Sequence, residues 1–244
     1  MAARRRVGVL VPSANSTVEP DFVLAAPERV TVHANRIGWA AQNLTEDEAI
    51  VDRMNERLEE AASNLAAARV EVIAYGFATG SFYRGPDYAA RLLERLEKTS
   101  GVPAVAASPA MVDALRIFGA RRLSVTSPYP DWNNQRLRTY LEATGFEVLN
   151  VVGEPRAAAG GFPAMSDQEP DDVVQFCMRV CEPLADALLI SCTMWRAFEA
   201  AAELERRLGL PVVTANQATI WATFRALGLR QPIRGFGSLL ETLG

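Results

Sequence analysis

The sequence predicts an α/β protein made of two related halves, each a parallel sheet flanked by helices. Two observations carry this reading, and the composition permits it. Short β-branched runs alternate with longer amphipathic ones along the 244 residues, the pattern of a parallel sheet covered by helices. Segments also recur at an offset of about 108 to 116 residues, which signals duplication of a whole unit. The hydrophobic content of 49%, spread evenly, is enough for a substantial core.

Strands are expected at about 6–11 (RVGVLV), 30–37, 70–75, 103–107, 122–126, 147–152, 186–191 and 211–214. A helix is expected over about 46–67, where Thr45 and Glu48 form a capping-box pattern. Ile50, Met54, Leu58, Ala61 and Leu65 make one apolar stripe along it. A second such pattern, Ser166 with Glu169, is expected to open a helix carrying Val173, Val174, Cys177 and Cys181. The repeat itself is visible in Arg5 to Pro12 (RRVGVLVP) against Arg121 to Pro128 (RRLSVTSP), and in Gly101 to Val105 against Gly209 to Val213. Each of the latter segments leads into a helix expected to end near a glycine, Gly119 or Gly228. In this register Phe77 is the counterpart of Cys192. The halves are expected to comprise residues 1–110 with 215–244, and 111–214.

The formal charge is −4, with no basic block beyond Arg4 to Arg6. That gives no electrostatic footprint for nucleic acid or an anionic membrane, so a small-molecule partner is expected. No apolar run approaches the roughly 20 residues that span a bilayer, and the N-terminal stretch enters a strand, so a cytoplasmic location is expected. Cys177, Cys181 and Cys192 lack disulfide-scaffold spacing, which fits a reducing compartment. No metal is expected, because the cysteines have neither a second CxxC nor a histidine pair near them. No GxGxxG follows the first strand and no phosphate loop is present, so no cofactor is expected. His33, the one histidine, falls within a predicted strand and reads as structural.

Open parallel sheets bind ligands beyond the carboxyl ends of their strands. The loops to inspect are Pro12 to Glu19, Phe77 to Gly85, Pro128 to Asn134 and Cys192 to Arg196. Cys192 ends an apolar strand at an expected strand-to-helix turn; it is either a packing thiol or a reactive one. Ser13, Asn15, Thr79, Ser81, Tyr129 and Thr193 supply neutral hydrogen-bonding groups in these loops. Such groups suit a carboxylate and its enediolate, or ordinary turn and cap chemistry. Arg84 and Arg196 are either carboxylate clamps or surface charges. Glu19 and Asp21 read as capping or solvating the first helix rather than as a carboxylate pair.

These residues resemble a family, the Asp/Glu racemase superfamily, and within it the branch of maleate cis-trans isomerases and arylmalonate decarboxylases. Val11 to Phe22 (VPSANSTVEPDF) resembles the isomerase opening, and Ser191 to Arg196 (SCTMWR) its second cysteine loop. Ser81 to Gly85 (SFYRG) is similar to the decarboxylase loop, and Tyr129 falls where both groups carry an active-site tyrosine. The resemblance implies two Rossmann-like halves related by a pseudo-twofold axis, with the substrate between them and the C-terminal segment returning to the first half. Racemases and isomerases of this kind use two cysteines, one from each half. Here Phe77 stands in the first place, whereas Thr79 matches the hydroxyl-rich decarboxylase loop and Ala78 replaces a hydroxyl residue.

The resemblance therefore implies cofactor-independent decarboxylation of a substituted malonate or similar small dicarboxylate. Cys192 would be the proton donor, and Tyr129 and Thr79 its catalytic companions. Ser13, Asn15, Phe77, Ala78, Ser81, Thr193, Met194 and Arg196 are the expected substrate-binding residues. The alternatives are a one-cysteine isomerase or another lyase acting on an unsaturated or amino dicarboxylate, and a non-catalytic binding relative. A homo-oligomer is compatible with any of these.

Overall fold

The computed structural model describes residues 4–38 and 48–244. The first half runs β1 (Arg5–Pro12), α1 (Val18–Ala25), β2 (Val30–Ile37), α2 (Glu48–Asn55), α3 (Leu58–Ala67), β3 (Val72–Tyr75), α4 (Ala78–Phe82), α5 (Pro86–Ser100) and β4 (Ala104–Ala106). The chain continues through α6 (Ala107–Ile117), β5 (Arg122–Ser127), α7 (Asp131–Ala143), β6 (Glu147–Gly153), α8 (Pro155–Ser166), α9 (Pro170–Val180), β7 (Ala187–Ile190), α10 (Ala201–Leu208) and β8 (Val212–Thr214). Helices α11 (Ala215–Ala226) and α12 (Ser238–Glu241) follow.

Among the described residues the strands form two four-stranded parallel sheets, ordered β2-β1-β3-β4 and β6-β5-β7-β8. The shared order is the structural form of the sequence repeat. Inner strands β3 and β7 are apolar throughout and fully buried, as expected for a sheet covered by helices on both faces. Edge strand β2 is mixed, and there the half-buried His33 ring lies 3.0 Å from the Thr31 hydroxyl, a local contact of the sheet edge.

The halves exchange helices. α6 leaves the first sheet and α11 the second, and the two pack on each other; α6 reaches β8, while α11 reaches β3 and β4. Phe224 of α11 meets Phe22 of α1 edge-on at 6.2 Å, both fully buried. Gly119 and Gly228 lie just past α6 and α11 with φ of 68° and 82°, conformations that favour glycine after a helix.

Two helical expectations need correction. The predicted helix over 46–67 is interrupted: α2 ends at Asn55 and α3 begins at Leu58. At the break, Arg95 donates to the Asn55 carbonyl at 2.9 Å, and the Asn55 side chain is drawn inward to Gly80 O and the Tyr75 and Tyr88 hydroxyls. Thr45, the proposed cap, lies outside the described residues. Ser166 does not open α9 but closes α8, its hydroxyl donating back to Phe162 O and Pro163 O. Pro170 starts α9 instead, its fixed φ suited to a first helical position. Cys177 is fully buried against the Thr126 hydroxyl at 3.3 Å, and burial pushes its thiol up to about 12, so it is a packing residue. No helix among the described residues is long and apolar enough to cross a membrane.

If the helix exchange holds the halves together, Phe224→Ala should cost about 3–5 kcal/mol in urea unfolding. Leu184→Ala, at a 67% exposed position, should change stability by no more than about 0.5 kcal/mol.

Candidate active site

In each sheet the order reverses beside the first strand, between β1 and β3 and between β5 and β7. A crevice opens at such a switch point because the loops on either side run in opposite directions. Here the two crevices face each other. The loops are joined across the halves by buried hydrogen bonds: Thr193 Oγ1 donates to Gly76 O (3.0 Å), and Asn15 Nδ2 donates to Thr193 Oγ1 (3.2 Å). Thr17 Oγ1 donates to Met194 O (2.8 Å), and Asn133 Nδ2 to Thr79 Oγ1 (3.0 Å).

Between these loops lies a small cavity of about 30 Å³. Of the residues singled out in the sequence, Cys192, Tyr129, Thr79, Asn15, Phe77, Thr193 and Met194 line it. Pro12, Met54, Phe162 and Met165 complete the described wall. Pro12 opens one of the expected loops; sequence reasoning missed the other three. Phe162 and Met165 arrive from α8, which Glu154 caps by accepting from Ala157 N (2.7 Å) and which kinks at Gly161 (φ 65°) before Pro163. The Gly160-Gly161-Phe162-Pro163 run was the one available signal, a helix interrupted by its own residues. Trp195 fastens the cysteine loop to this region, its indole N–H donating to Gln168 Oε1 at 2.7 Å.

Five residues singled out in the sequence lie outside the cavity lining. Ser13 is exposed and its amide continues the β1 edge by bonding Ile37 O. Ser81 faces away from the cavity, its hydroxyl held by Ser108 and the Phe77 and Ala78 carbonyls. Ala78 is buried at the start of α4, outside the cavity lining. Arg196 pairs with Glu169 (2.6 Å) and Glu199 (2.9 Å), and Arg84 with Asp52 (2.7 Å). Both are surface ion pairs. Asn15 lines the cavity but also has a folding role, since its Oδ1 accepts the amides of Thr17 and Val18 at the start of α1.

Cys192 is 5% exposed, and its Sγ accepts the Met194 amide at 3.3 Å. It stands two residues past β7, as Phe77 stands two residues past β3. No helix follows it: residues 193–200 are turns and α10 begins at Ala201, which corrects the expected strand-to-helix turn. Its φ is +134°, a backbone conformation that non-glycine residues rarely adopt. The loop hydrogen bonds on both sides hold it there.

Asp21 also departs from expectation. It is 4% exposed and accepts Asn216 Nδ2 at 2.6 Å. Burial raises its pKa to about 7, against the opposing Asn216 hydrogen bond; Glu199 adds to the rise and Arg196 reduces it. Glu19 instead pairs with Arg36 at the surface. No group of three or more His, Cys, Asp or Glu side chains that could hold a metal occurs among the described residues. The cavity thus presents one thiol, neutral hydroxyl and amide groups, and an apolar remainder.

A family model described as arylmalonate decarboxylase matches residues 7–240. An arylmalonate decarboxylase from Bordetella bronchiseptica is 29% identical over 243 residues, spanning 98% of both chains. A maleate isomerase from Pseudomonas putida is 30% identical over 259 residues, spanning 97% of both. The crystal structure of a cysteine-to-alanine variant of the maleate isomerase from Pseudomonas putida S16, with maleate, matches with a TM-score of 0.88. Identity is 26% and 98% of both chains is covered.

Two stability measurements follow from this geometry. Cys192→Gly should be about 1 kcal/mol more stable than Cys192→Ala in urea, because glycine tolerates the positive φ. The folded chain holds the Asp21 proton up to about pH 7, whereas the unfolded chain releases it near pH 4. Stability should therefore fall as pH rises across that window, by up to roughly 4 kcal/mol. Asp21→Asn should remove this part of the pH dependence.

Proposed function

We propose, from the premise that the chain belongs to the arylmalonate decarboxylase family, in the branch of the Asp/Glu racemase superfamily that includes maleate isomerases, that it decarboxylates a substituted malonate without a cofactor. The observation that carries this reading is the asymmetry of the cavity. One thiol, Cys192, has Phe77 as its pseudo-symmetric counterpart, and Pro12, Met54, Phe162, Met165 and Met194 extend the apolar lining. A two-thiol reaction lacks its second sulfur here. A reaction needing one proton donor and an apolar pocket fits.

In this reading the retained carboxylate takes hydrogen bonds from Thr79, Tyr129 and Asn15. The departing carboxylate lies against the apolar wall, where loss of hydration raises its energy, and conversion to CO2 removes that penalty. The C–C bonding electrons pass to the α-carbon and the retained carboxylate as an enediolate, which neutral donors stabilise. The Cys192 thiol then gives its proton to the α-carbon. The resulting thiolate takes a proton from solvent. Thr193 and Met194 shape the cysteine side of the cavity, and the chain divides into 1–110 with 215–244, and 111–214, the substrate lying between.

A second reading, cis-trans isomerisation of a maleate-like substrate, is favoured by the equal likeness to maleate isomerases. A panel of alkyl- and arylmalonates together with maleate distinguishes the two. The expected result is CO2 release from at least one malonate, lowered at least about 10³-fold in Cys192→Ala with its circular dichroism unchanged. Fumarate formed from maleate with no CO2 from any malonate would favour the isomerase.

A further inference from the structure

We infer that Asp21 is a positioning residue for Cys192, acting through Asn216, whose amide joins the Asp21 carboxyl to the Thr193 carbonyl and so holds the loop that carries the thiol. Its consequence for turnover rests on the decarboxylase reading; its effect on the thiol does not. Asn216 Nδ2 donates both to Asp21 Oδ2 (2.6 Å) and to Thr193 O (3.0 Å). Its Oδ1 is buried and accepts no hydrogen bond among the described residues, so the amide is oriented by its donor side. Just before the same helix, one turn from Asp21, Thr17 donates to Met194 O (2.8 Å). The two carbonyls that follow Cys192 are thus held from α1 and α11, while the Met194 amide bonds the sulfur itself (3.3 Å).

A neutral side chain could accept the same hydrogen bond, and burying a carboxyl is costly. What a carboxyl adds is a bond whose strength depends on its charge, because an ionised acceptor binds an amide N–H more strongly than a neutral one. Asp21 borders a surface depression of about 340 Å³ through which protons can reach it. The charged groups facing it there are Arg196 and Glu199 from the turns after the cysteine loop, while Glu19 on its own helix is engaged by Arg36. Burial places its change of charge near pH 7, so the tension on Asn216, and through it on the Cys192 loop, varies around neutrality.

The test is the rate of Cys192 alkylation by iodoacetamide, followed on its own peptide by mass spectrometry from about pH 5 to pH 9. Wild type, Asp21→Asn, Asp21→Leu and Asn216→Ala are compared, together with kcat and KM on the best malonate. Wild type should show an inflection near pH 7 beyond the thiol's own titration. Asp21→Asn, which keeps the acceptor without the charge, should lose that inflection and stay near the low-pH wild-type rate. Asp21→Leu and Asn216→Ala should change the alkylation rate about tenfold or more and lower kcat with KM little altered. If Asp21→Leu does not fold, the comparison of Asp21→Asn with Asn216→Ala decides. Matching profiles in wild type and both of these variants would overturn the inference. Altered alkylation with no malonate turned over would uphold it and instead overturn the decarboxylase reading.

Discussion

The side chain and carbonyl of Thr193 tie the two halves together at the place where both sheets reverse their strand order. Its hydroxyl donates to Gly76 O after β3 and accepts from Asn15 after β1, and its carbonyl accepts from Asn216 at the start of α11. One residue thereby fixes three loops and an exchanged helix. A buried hydrogen bond is worth only about 1 kcal/mol net, but leaving its partners unsatisfied costs more, so the node constrains the loops more strongly than the sum of its bonds. Gly76 itself lets α1 pack against this loop: a Cβ there would lie 2.9 Å from Val18 Cγ1.

The position of the thiol depends on this clamp. Cys192 sits immediately before Thr193 at a positive φ, a conformation that persists only where the surroundings impose it. The return is a sulfur at the cavity wall, opposed in pseudo-symmetry by a phenyl ring. The two halves share a backbone plan down to the order of their strands, yet they present unlike chemistry to the cavity. The repeat supplies the geometry, and the difference at one position past a strand leaves a thiol in one half and a phenyl ring in the other.

Much of this plan was legible in the chain. The eight strands, the parallel sheets and the pairing of Phe77 with Cys192 are carried by apolar runs and by the repeat, signals that a sheet buried on both faces makes strong. Helix ends were less legible, because tertiary contacts decide them: Arg95 takes the Asn55 carbonyl where periodicity alone predicted continuous helix. Site composition was legible where polar residues fall in strand-end loops, and it failed where such residues have partners of their own, as with Ser81 on Ser108 and Arg196 on Glu199. Apolar lining from Met54 had no local signature separating it from core, and that from Phe162 and Met165 had only the interrupted helix around Gly161. Asp21 was misread because nothing in its neighbourhood along the chain reveals Asn216, 195 residues away.

In the proposed decarboxylation a single proton donor faces the substrate carbon, and Phe77 supplies no partner on the opposite side. The direct measurement is solvent deuterium incorporation at the α-carbon of the product, during turnover in D2O and after isolated product is returned to the enzyme. The expected result is one deuterium per molecule formed, a single enantiomer, and no exchange of the returned product with loss of optical activity. Rapid exchange accompanied by racemisation would reveal a second base and contradict it.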